Sequence, residues 1–212
     1  MDTRDILLLA HDAFGGEIRG KTNLQKKLYF LSIMLGEDLG YGPHYYGPYS
    51  SEVAAANMNL KVLGYLGESI ASVGSDGTEG FEIARHDFKL TQDGHTLVEA
   101  KKKRFPEEWN KIKKAAEALN AAGDLNYVEL SIAAKAYFLL DQKGGPAKTI
   151  DLVRMARQFG WSVNEADIER AVDFLQRLGL AEAGTGQVAD LGFAPVEIRG
   201  EPLSATIRRE RG

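Results

Sequence analysis

Apolar and polar positions alternate with helical spacing in residues 20–66, and this stretch organises the prediction for the whole chain. Thr22 and Gln25 have the spacing of a capping box, which predicts the start of a helix. Its apolar positions are Leu24, Leu28, Leu31 and Leu35. Because these leucines share one helical face, the pattern predicts an amphipathic helix with that face in a core.

A turn with two Gly-Pro steps interrupts the helical pattern at residues 40–48, because helix is disfavoured at the residue before a proline. Ser50 or Ser51 then caps a second predicted helix, and Gly64 ends it before a predicted strand. Its apolar positions are Val53, Ala56, Leu60 and Leu63. A helix, a turn, a helix and a strand in this order are typical of a winged helix.

Two segments here resemble a known family, KTNLQKKLYFL at residues 21–31 and YYGPYS at residues 45–50. They are similar to the signature of the YwgA-like family of archaeal and bacterial proteins. They resemble more distantly the SocA-like Panacea antitoxin domain, which has a similar leucine-glutamine-lysine helix and tyrosine-glycine-proline turn. The resemblance implies a winged-helix-like protein in gene regulation, or in toxin–antitoxin and mobile-element biology. It does not imply a particular biochemical activity.

Further patterns complete a predicted N-terminal domain over residues 1–95. A helix that begins at Asp2 or Thr3 precedes the region described above. Runs that favour β-structure, at residues 65–73 and 81–90, flank a segment rich in turn residues. We therefore expect a β-hairpin that forms the wing.

The distal half repeats this plan. Ser162 and Glu165 have the spacing of a second capping box, and an apolar stripe follows them. The sequence Leu-Gly-Leu at residues 178–180 mirrors the Leu-Gly-Tyr at residues 63–65. Glycines at residues 184–186 are expected to turn a second, shorter wing.

The repeated plan predicts a mainly helical α+β protein of two tandem winged-helix-like domains. The first domain is expected at residues 1–95 and the second at residues 124–212. A long helical connector at residues 96–123 is expected to join them.

Charge restricts the functions open to this chain. It has 26 lysines and arginines against 30 aspartates and glutamates, a net charge of -4, and both halves share the acidic excess. A domain that neutralises phosphates normally carries a basic excess. A nucleic-acid site must therefore be a local patch.

Basic residues at two places supply the predicted contacts with double-stranded DNA. One group lies at the start of a helix, where backbone amides favour anions, and the other is a dense run on the connector. The predicted set is Lys21, Lys26, Lys27, Lys61, Lys101, Lys102, Lys103 and Arg104. The alternative is that these side chains only form the solvated faces of their helices. The leading hypothesis is a DNA-associated regulatory protein, either a transcription regulator or an antitoxin-like protein.

Aromatic and acidic residues support a rival hypothesis, a protein-interaction adaptor or antitoxin that binds a partner protein without DNA. Tyr45, Tyr46 and Tyr49 can grip a partner, although these rings can instead pack under the turn against the leucine stripe. The distal helix opens with three carboxylates that repel a DNA backbone. They are Glu165, Asp167 and Glu169.

The connector has an apolar stripe of its own. It consists of Trp109, Ile112, Ala116 and Leu119. An exposed stripe of this kind marks an interface, so the pattern predicts a homodimer in which Trp109 contacts the partner chain. The alternative is that the stripe folds back against the first domain.

Enzyme chemistry finds little support in the sequence. The chain has no cysteine, and its four histidines lack metal-ligand spacing. We find no glycine-rich phosphate loop, nucleophile elbow or paired-carboxylate motif, so we expect no catalytic residue, metal or cofactor. The chain has no apolar run long enough for a membrane span, and acidic Asp2 and Asp5 do not fit a secretory signal, so we expect a cytoplasmic protein.

Overall fold

The computed structural model describes residues 1–72, 84–144 and 147–181. The helices are α1 (Thr3–Ala13), α2 (Lys21–Leu35), α3 (Ser51–Val62), α4 (Gln92–Arg104), α5 (Pro106–Ala122), α6 (Tyr127–Lys143), α7 (Thr149–Gln158) and α8 (Glu165–Arg177). The strands are β1 (Glu17–Arg19), β2 (Tyr41–Gly42), β3 (Tyr49–Ser50), β4 (Leu66–Ser72) and β5 (Ala84–Leu90). The described residues therefore form a mainly helical α+β protein with small sheets, and that part of the prediction is confirmed.

Two antiparallel sheets accompany the helices. The larger has the strand order β1-β5-β4, and the smaller pairs β2 with β3. In the larger sheet, Leu66 lies opposite Leu90 and Ser72 opposite Ala84. The predicted antiparallel strand pair after α3 is thus confirmed, while its turn lies outside the described residues.

Helix starts agree only in part with the sequence prediction. Ser50 caps α3, since its Oγ accepts a hydrogen bond from the Val53 amide at 3.0 Å. The capping box predicted at Thr22 is wrong, because α2 begins after Gly20 and has no side-chain cap. Its second member, Gln25, instead bonds to the backbone of Ser50, which lies far along the chain.

The start of α8 differs in the same way. The capping box is made by Asn164 and Asp167, so the predicted box at Ser162 and Glu165 is wrong by two residues. Asn164 accepts from the Asp167 amide at 2.9 Å, and the Asp167 carboxylate accepts from the Asn164 amide at 3.1 Å. The predicted second wing lies outside the described residues.

A close backbone contact joins α4 to the strand pair. Thr91 caps α4 by accepting from the Gly94 amide at 3.0 Å, and its hydroxyl donates to the Gly64 carbonyl at 2.6 Å. A Cβ on Gly94 would lie 2.2 Å from the Tyr65 carbonyl oxygen. The glycine therefore allows the first turn of α4 to touch the start of β4.

Two hydrophobic cores share α2 and α5. The first core joins α1, α3 and the larger sheet, and α2 gives it Leu24, Leu28 and Leu31. The second core joins α6, α7 and α8, and α2 gives it Tyr29 and Phe30. Helix α2 is thus buried on two faces, and it links the two halves of the chain.

The apolar stripe of α5 lies inside the chain. Ile112 and Ala116 are in the first core and Leu119 is in the second, and all three are buried. Trp109 is half-buried beside the first core, with the Lys102 Nζ 4.5 Å from the centre of its ring. These three residues therefore fill intramolecular cores and do not form an exposed stripe, whereas Trp109 is half-buried, and the homodimer stays a prediction.

No helix in the described ranges is long and apolar enough to cross a membrane.

Candidate partner-binding cleft

The turn at residues 40–50, the tyrosine turn hereafter, is fixed to α2 by an amide side chain. Gln25 Nε2 donates to the Ser50 carbonyl at 3.0 Å, and the Ser50 amide donates to Gln25 Oε1 at 3.0 Å. The Tyr41 hydroxyl donates to the Gln25 carbonyl at 2.7 Å. Because Gln25 and Ser50 are buried, these bonds satisfy groups that water does not reach.

Three carbonyls of the tyrosine turn accept hydrogen bonds from α2, from α6 and from the loop between α7 and α8. The Trp161 indole N–H donates to the His44 carbonyl at 2.7 Å. Ser131 Oγ on α6 donates to the Tyr46 carbonyl at 2.7 Å. Lys26 Nζ on α2 donates to the Pro48 carbonyl at 2.6 Å. The backbone of the turn is therefore held by both halves of the chain.

The tyrosine rings of this fixed turn face solvent. Tyr45 is 69% exposed, Tyr46 37% and Tyr49 38%. The Tyr45 and Tyr46 rings meet edge to face at 4.8 Å, and His44 lies 5.0 Å from the Tyr49 ring. The inward-packed ring is Tyr41, which meets Tyr29 edge-on at 5.0 Å. The alternative in which the three rings pack under the turn is thus wrong.

A cleft of about 690 Å³ separates the tyrosine turn from the distal helices. We name it the tyrosine cleft. Residues on its walls include Tyr45, Tyr46, Ser131, Lys135, Trp161 and Asp167. Ile132 and Val163 add apolar surface, so the cleft combines aromatic, apolar and charged groups. Such a mixture can bury apolar side chains and orient a polar group.

Trp161 forms the floor of the cleft because aromatic neighbours hold its ring. The ring stacks on Phe159 at 4.9 Å and meets Phe138 edge-on at 5.7 Å. It is 2% exposed, and its polar edge is used by the bond to His44. The Trp161 ring therefore connects the distal core to the tyrosine turn.

Two lysines lie beneath the turn. Lys26 is 2% exposed and Lys135 is 8% exposed. Burial, together with the charge of Lys135, lowers the pKa of Lys26 to about 7. Burial also lowers the pKa of Lys135. Lys26, predicted as a DNA contact, is thus directed into the protein by its bond to the turn.

The other predicted DNA contacts are divided between paired and exposed side chains. Lys101 contacts Asp5 at 2.5 Å and Lys102 contacts Asp12 at 2.7 Å. Lys61 pairs with Glu68, and Lys27 lies 4.5 Å from the centre of the Phe14 ring. The remaining three are exposed and form no ion pair within the described ranges. They are Lys21, Lys103 and Arg104.

On the distal side of the cleft, sequence reasoning identified Asp167 but missed the residues that anchor the turn. The missed residues are Ser131, Lys135 and Trp161. One signal was present, since Lys135 is a single charge in the apolar run SIAAKAYFLL at residues 131–140. A charged residue in such a run is rarely fully buried unless it is paired. The position of Lys135 in this run therefore indicated a functional role.

Neither the models of protein families nor the curated proteins compared with this chain gave a match.

Proposed function

We propose that this chain is a protein-interaction module, an adaptor or antitoxin, that binds a segment of a partner protein in the tyrosine cleft. The observation that carries the proposal is the tyrosine turn, whose backbone is anchored at His44, Tyr46 and Pro48 while its rings face outward. Tyrosine is enriched at protein interfaces because it offers a large apolar ring and a polar hydroxyl.

Preorganisation favours binding at this place. An anchored turn loses little conformational freedom when a partner docks, so more of the contact energy becomes affinity. The volume of about 690 Å³ fits a few side chains and not a whole domain. The occupant is therefore an extended segment or loop of the partner.

We further propose that residues 1–95 form a winged-helix-like domain that serves protein contact. The order of elements, with two helices around β1 and then α3, β4 and β5, supports this fold, as does the strand order β1-β5-β4. In a winged helix, α3 takes the place of the recognition helix. Its exposed side chains include the apolar Met58 and Val62, and the exposed Leu63 follows as its C-cap. This surface suits a protein partner better than phosphates.

The resemblance to the SocA-like Panacea antitoxin domain agrees with this class of function. It rests on the Gln25-Lys26 pair of α2 and on the Tyr46-Gly47-Pro48 step. In this chain those residues build the anchored turn. An antitoxin that holds its toxin through this turn is the specific form of the proposal.

DNA association is the second candidate function. Lys103 and Arg104 favour it, since both are exposed at the end of α4 and form no ion pair among the described residues. The acidic partners of Lys61, Lys101 and Lys102 weaken it, because they neutralise three of the eight predicted contacts.

A pull-down from the native host tests the leading proposal. Wild type, a Tyr45→Ala/Tyr46→Ala double variant and an Ile150→Ala control, which changes an exposed residue of α7 outside the cleft, all with matched stability, serve as baits. A photo-reactive amino acid at Tyr45 then identifies what contacts the turn. We expect one stoichiometric protein that crosslinks at Tyr45, remains with the control and is lost from the double variant. Equal recovery by the double variant, or recovery of DNA alone, contradicts the proposal.

A further inference from the structure

Two lysine side chains approach Gly47 from different helices. Lys26 extends from α2 and Lys135 from α6. A Cβ built on Gly47 would lie 3.5 Å from Lys26 Nζ and 3.4 Å from Lys135 Cε. The two side chains therefore share the space beneath one residue of the tyrosine turn.

Gly47 is required at this position for two reasons. Its φ of +92° is a left-handed conformation that residues with a side chain rarely adopt. A Cβ there would also lie 3.0 Å from Lys135 Cγ, which is closer than an ordinary contact. The missing side chain lets both lysines reach the turn.

This pair has no acidic partner within the described ranges. No carboxylate forms an ion pair with Lys26 or Lys135, and the described carboxylate on the cleft wall, Asp167, pairs with Arg170 at 2.7 Å. Buried charges are normally paired, because desolvation of an isolated ammonium is costly. Two like charges side by side increase that cost. The site is therefore complete only when a negative charge is present.

The ammonium groups of Lys26 and Lys135 also have N–H donors that no acceptor in the described ranges uses. An ammonium has three N–H donors, and Lys26 uses one of them on the Pro48 carbonyl at 2.6 Å. Lys135 has no hydrogen-bond acceptor in the part of the chain that the structure describes; its Nζ lies 5.8 Å from the centre of the Trp161 ring. Lys135 lines the tyrosine cleft, so a ligand in the cleft can reach it.

We propose that Lys26 and Lys135 form an oxyanion site beneath Gly47, which receives a carboxylate or phosphate group of the segment that occupies the tyrosine cleft. Lys135 contacts the oxyanion directly from the cleft wall. Lys26 adds positive charge from behind the turn while it holds the Pro48 carbonyl. That the oxyanion comes from a protein segment rests on the proposed function, whereas the oxyanion site itself does not.

The proposed oxyanion site specifies the chemistry of the partner segment. Burial lowers the pKa of both lysines, and the charge of Lys135 lowers that of Lys26 further, so an oxyanion would favour their charged forms. The tyrosine rings would bind the apolar part of the segment, and the lysine pair would fix its register. We expect a partner segment with an acidic or phosphorylated residue next to an apolar one.

Thermal unfolding of the full chain tests the site. Melting temperatures are measured at constant ionic strength while chloride is replaced by acetate or by inorganic phosphate. The variants are Lys26→Met and Lys135→Met, and the matched control is Lys21→Met, which changes an exposed lysine of the same helix. Non-specific salt effects change all four proteins alike and grow with concentration.

We expect a rise in melting temperature that saturates with oxyanion concentration for the wild type and the control. The rise is lost in both site variants. The same rise in all four proteins, or none in the wild type, overturns the proposal. If a variant does not fold, the ¹³Cε chemical shifts of the lysines are measured in the wild type instead. Two resonances that move saturably with the oxyanion concentration support the site. Unchanged resonances reject it.

The source of the oxyanion is tested separately. Acetate saturation at lower concentration than phosphate indicates a carboxylate, and the reverse order indicates a phosphate group. If the partner captured through Tyr45 is then lost from the Lys135→Met bait, it carries the oxyanion. If the melting-temperature response holds but no partner depends on Tyr45 and Tyr46, the oxyanion site stands and the proposed function fails.

Discussion

Gln25 on α2 and Ser50 at the start of α3 exchange two hydrogen bonds, each 3.0 Å long. The amide side chain thereby imitates a backbone strand partner for Ser50. The Ser50 hydroxyl in turn caps α3 and donates to the Leu39 carbonyl. One side chain of α2 thus fixes both the end of the tyrosine turn and the start of the next helix.

Replacement of Gln25 by leucine should destabilise the protein. Leucine has a similar volume but leaves the buried amide and carbonyl of Ser50 without this partner. We expect the free energy of unfolding to fall by about 2–4 kcal/mol in urea titrations. Gln142→Leu, on an exposed position of α6, is the control and should change it by less than about 0.5 kcal/mol. Equal effects of the two substitutions would contradict the structure.

Replacement of Gly94 by alanine should separate α4 from the strand pair. The new Cβ would meet the Tyr65 carbonyl at 2.2 Å, and a backbone group cannot move aside as a flexible side chain can. We expect a loss of about 1–3 kcal/mol, because the helix must shift. Gly67→Ala is the matched control, since its nearest neighbour would be 3.8 Å away. A fully stable Gly94→Ala protein would show that this contact is not as close as described.

His11 should make stability depend on pH in mild acid. Its Nδ1 donates to the Leu7 carbonyl at 2.9 Å, its Nε2 has no partner among the described residues, and burial lowers its pKa to about 4. The unfolded chain binds a proton at His11 below about pH 6.5, whereas the folded chain does so only near pH 4. Stability should therefore fall as the pH drops through this window.

The expected loss from His11 is up to about 3 kcal/mol between pH 6.5 and pH 4. The measurement is urea unfolding of the wild type and of His11→Met at several pH values. Carboxylates contribute equally to both proteins, so the difference between the curves reports His11 alone. Parallel curves would mean that His11 titrates normally in the folded protein.

The sequence predicted the elements that depend on local patterns. Most of the apolar stripes, the Ser50 cap and the strand pair of β4 and β5 follow from spacing within a few residues. Leu63, predicted on the inward face of α3, is an exception, since it lies after the last turn of the helix and is exposed. The capping boxes predicted at Thr22 and Ser162 do not form, because other hydrogen bonds take their place. Gln25 finds its partner in Ser50, and Asn164 is a better placed cap for α8. Competition of this kind is decided by tertiary contacts.

The sequence predicted the near side of the binding site and, on its distal side, Asp167. The tyrosines lie in one short segment and were recognised, whereas Trp161 and Lys135 approach through the fold of the distal half. The DNA contact predicted at Lys26 fails for a related reason. The leucine stripe predicts one buried face for α2, but Tyr29 and Phe30 place a second face of the helix against the distal core. A single amphipathic pattern cannot show that a helix is buried twice.

DNA association makes a prediction of its own about salt. If the exposed residues Lys103 and Arg104 contact phosphates, duplex affinity should fall steeply with salt concentration. Reversal of both charges to glutamate should then reduce the slope of log affinity against log salt by about two. Lys101→Met should leave the slope unchanged, since Lys101 contacts Asp5. Affinity below the usual non-specific range at low salt would exclude this function.

Lys26 should make the protein more stable in mild base when no oxyanion is bound at the lysine pair. Burial and the adjacent Lys135 lower its pKa to about 7, while in the unfolded chain it is about 10.5. Between these values the unfolded chain holds a proton that the folded chain has lost, so stability rises with pH. The free energy of unfolding should rise by several kcal/mol, since each unit of pKa difference is worth about 1.4 kcal/mol. Above pH 10 the buried Tyr29, whose pKa burial raises, acts in the opposite direction.

The Lys26→Met variant isolates this effect. Unfolding of both proteins is followed from pH 7 to pH 9.5 in chloride and in buffers without oxyanions, so that no ligand occupies the lysine pair. Lys135 remains in both proteins, and its own lowered pKa cancels to first order in the difference. We expect the wild type to gain stability relative to the variant as the pH rises. A constant difference would show that Lys26 keeps its proton in the fold, and that an acidic group then lies closer to it than the structure places one.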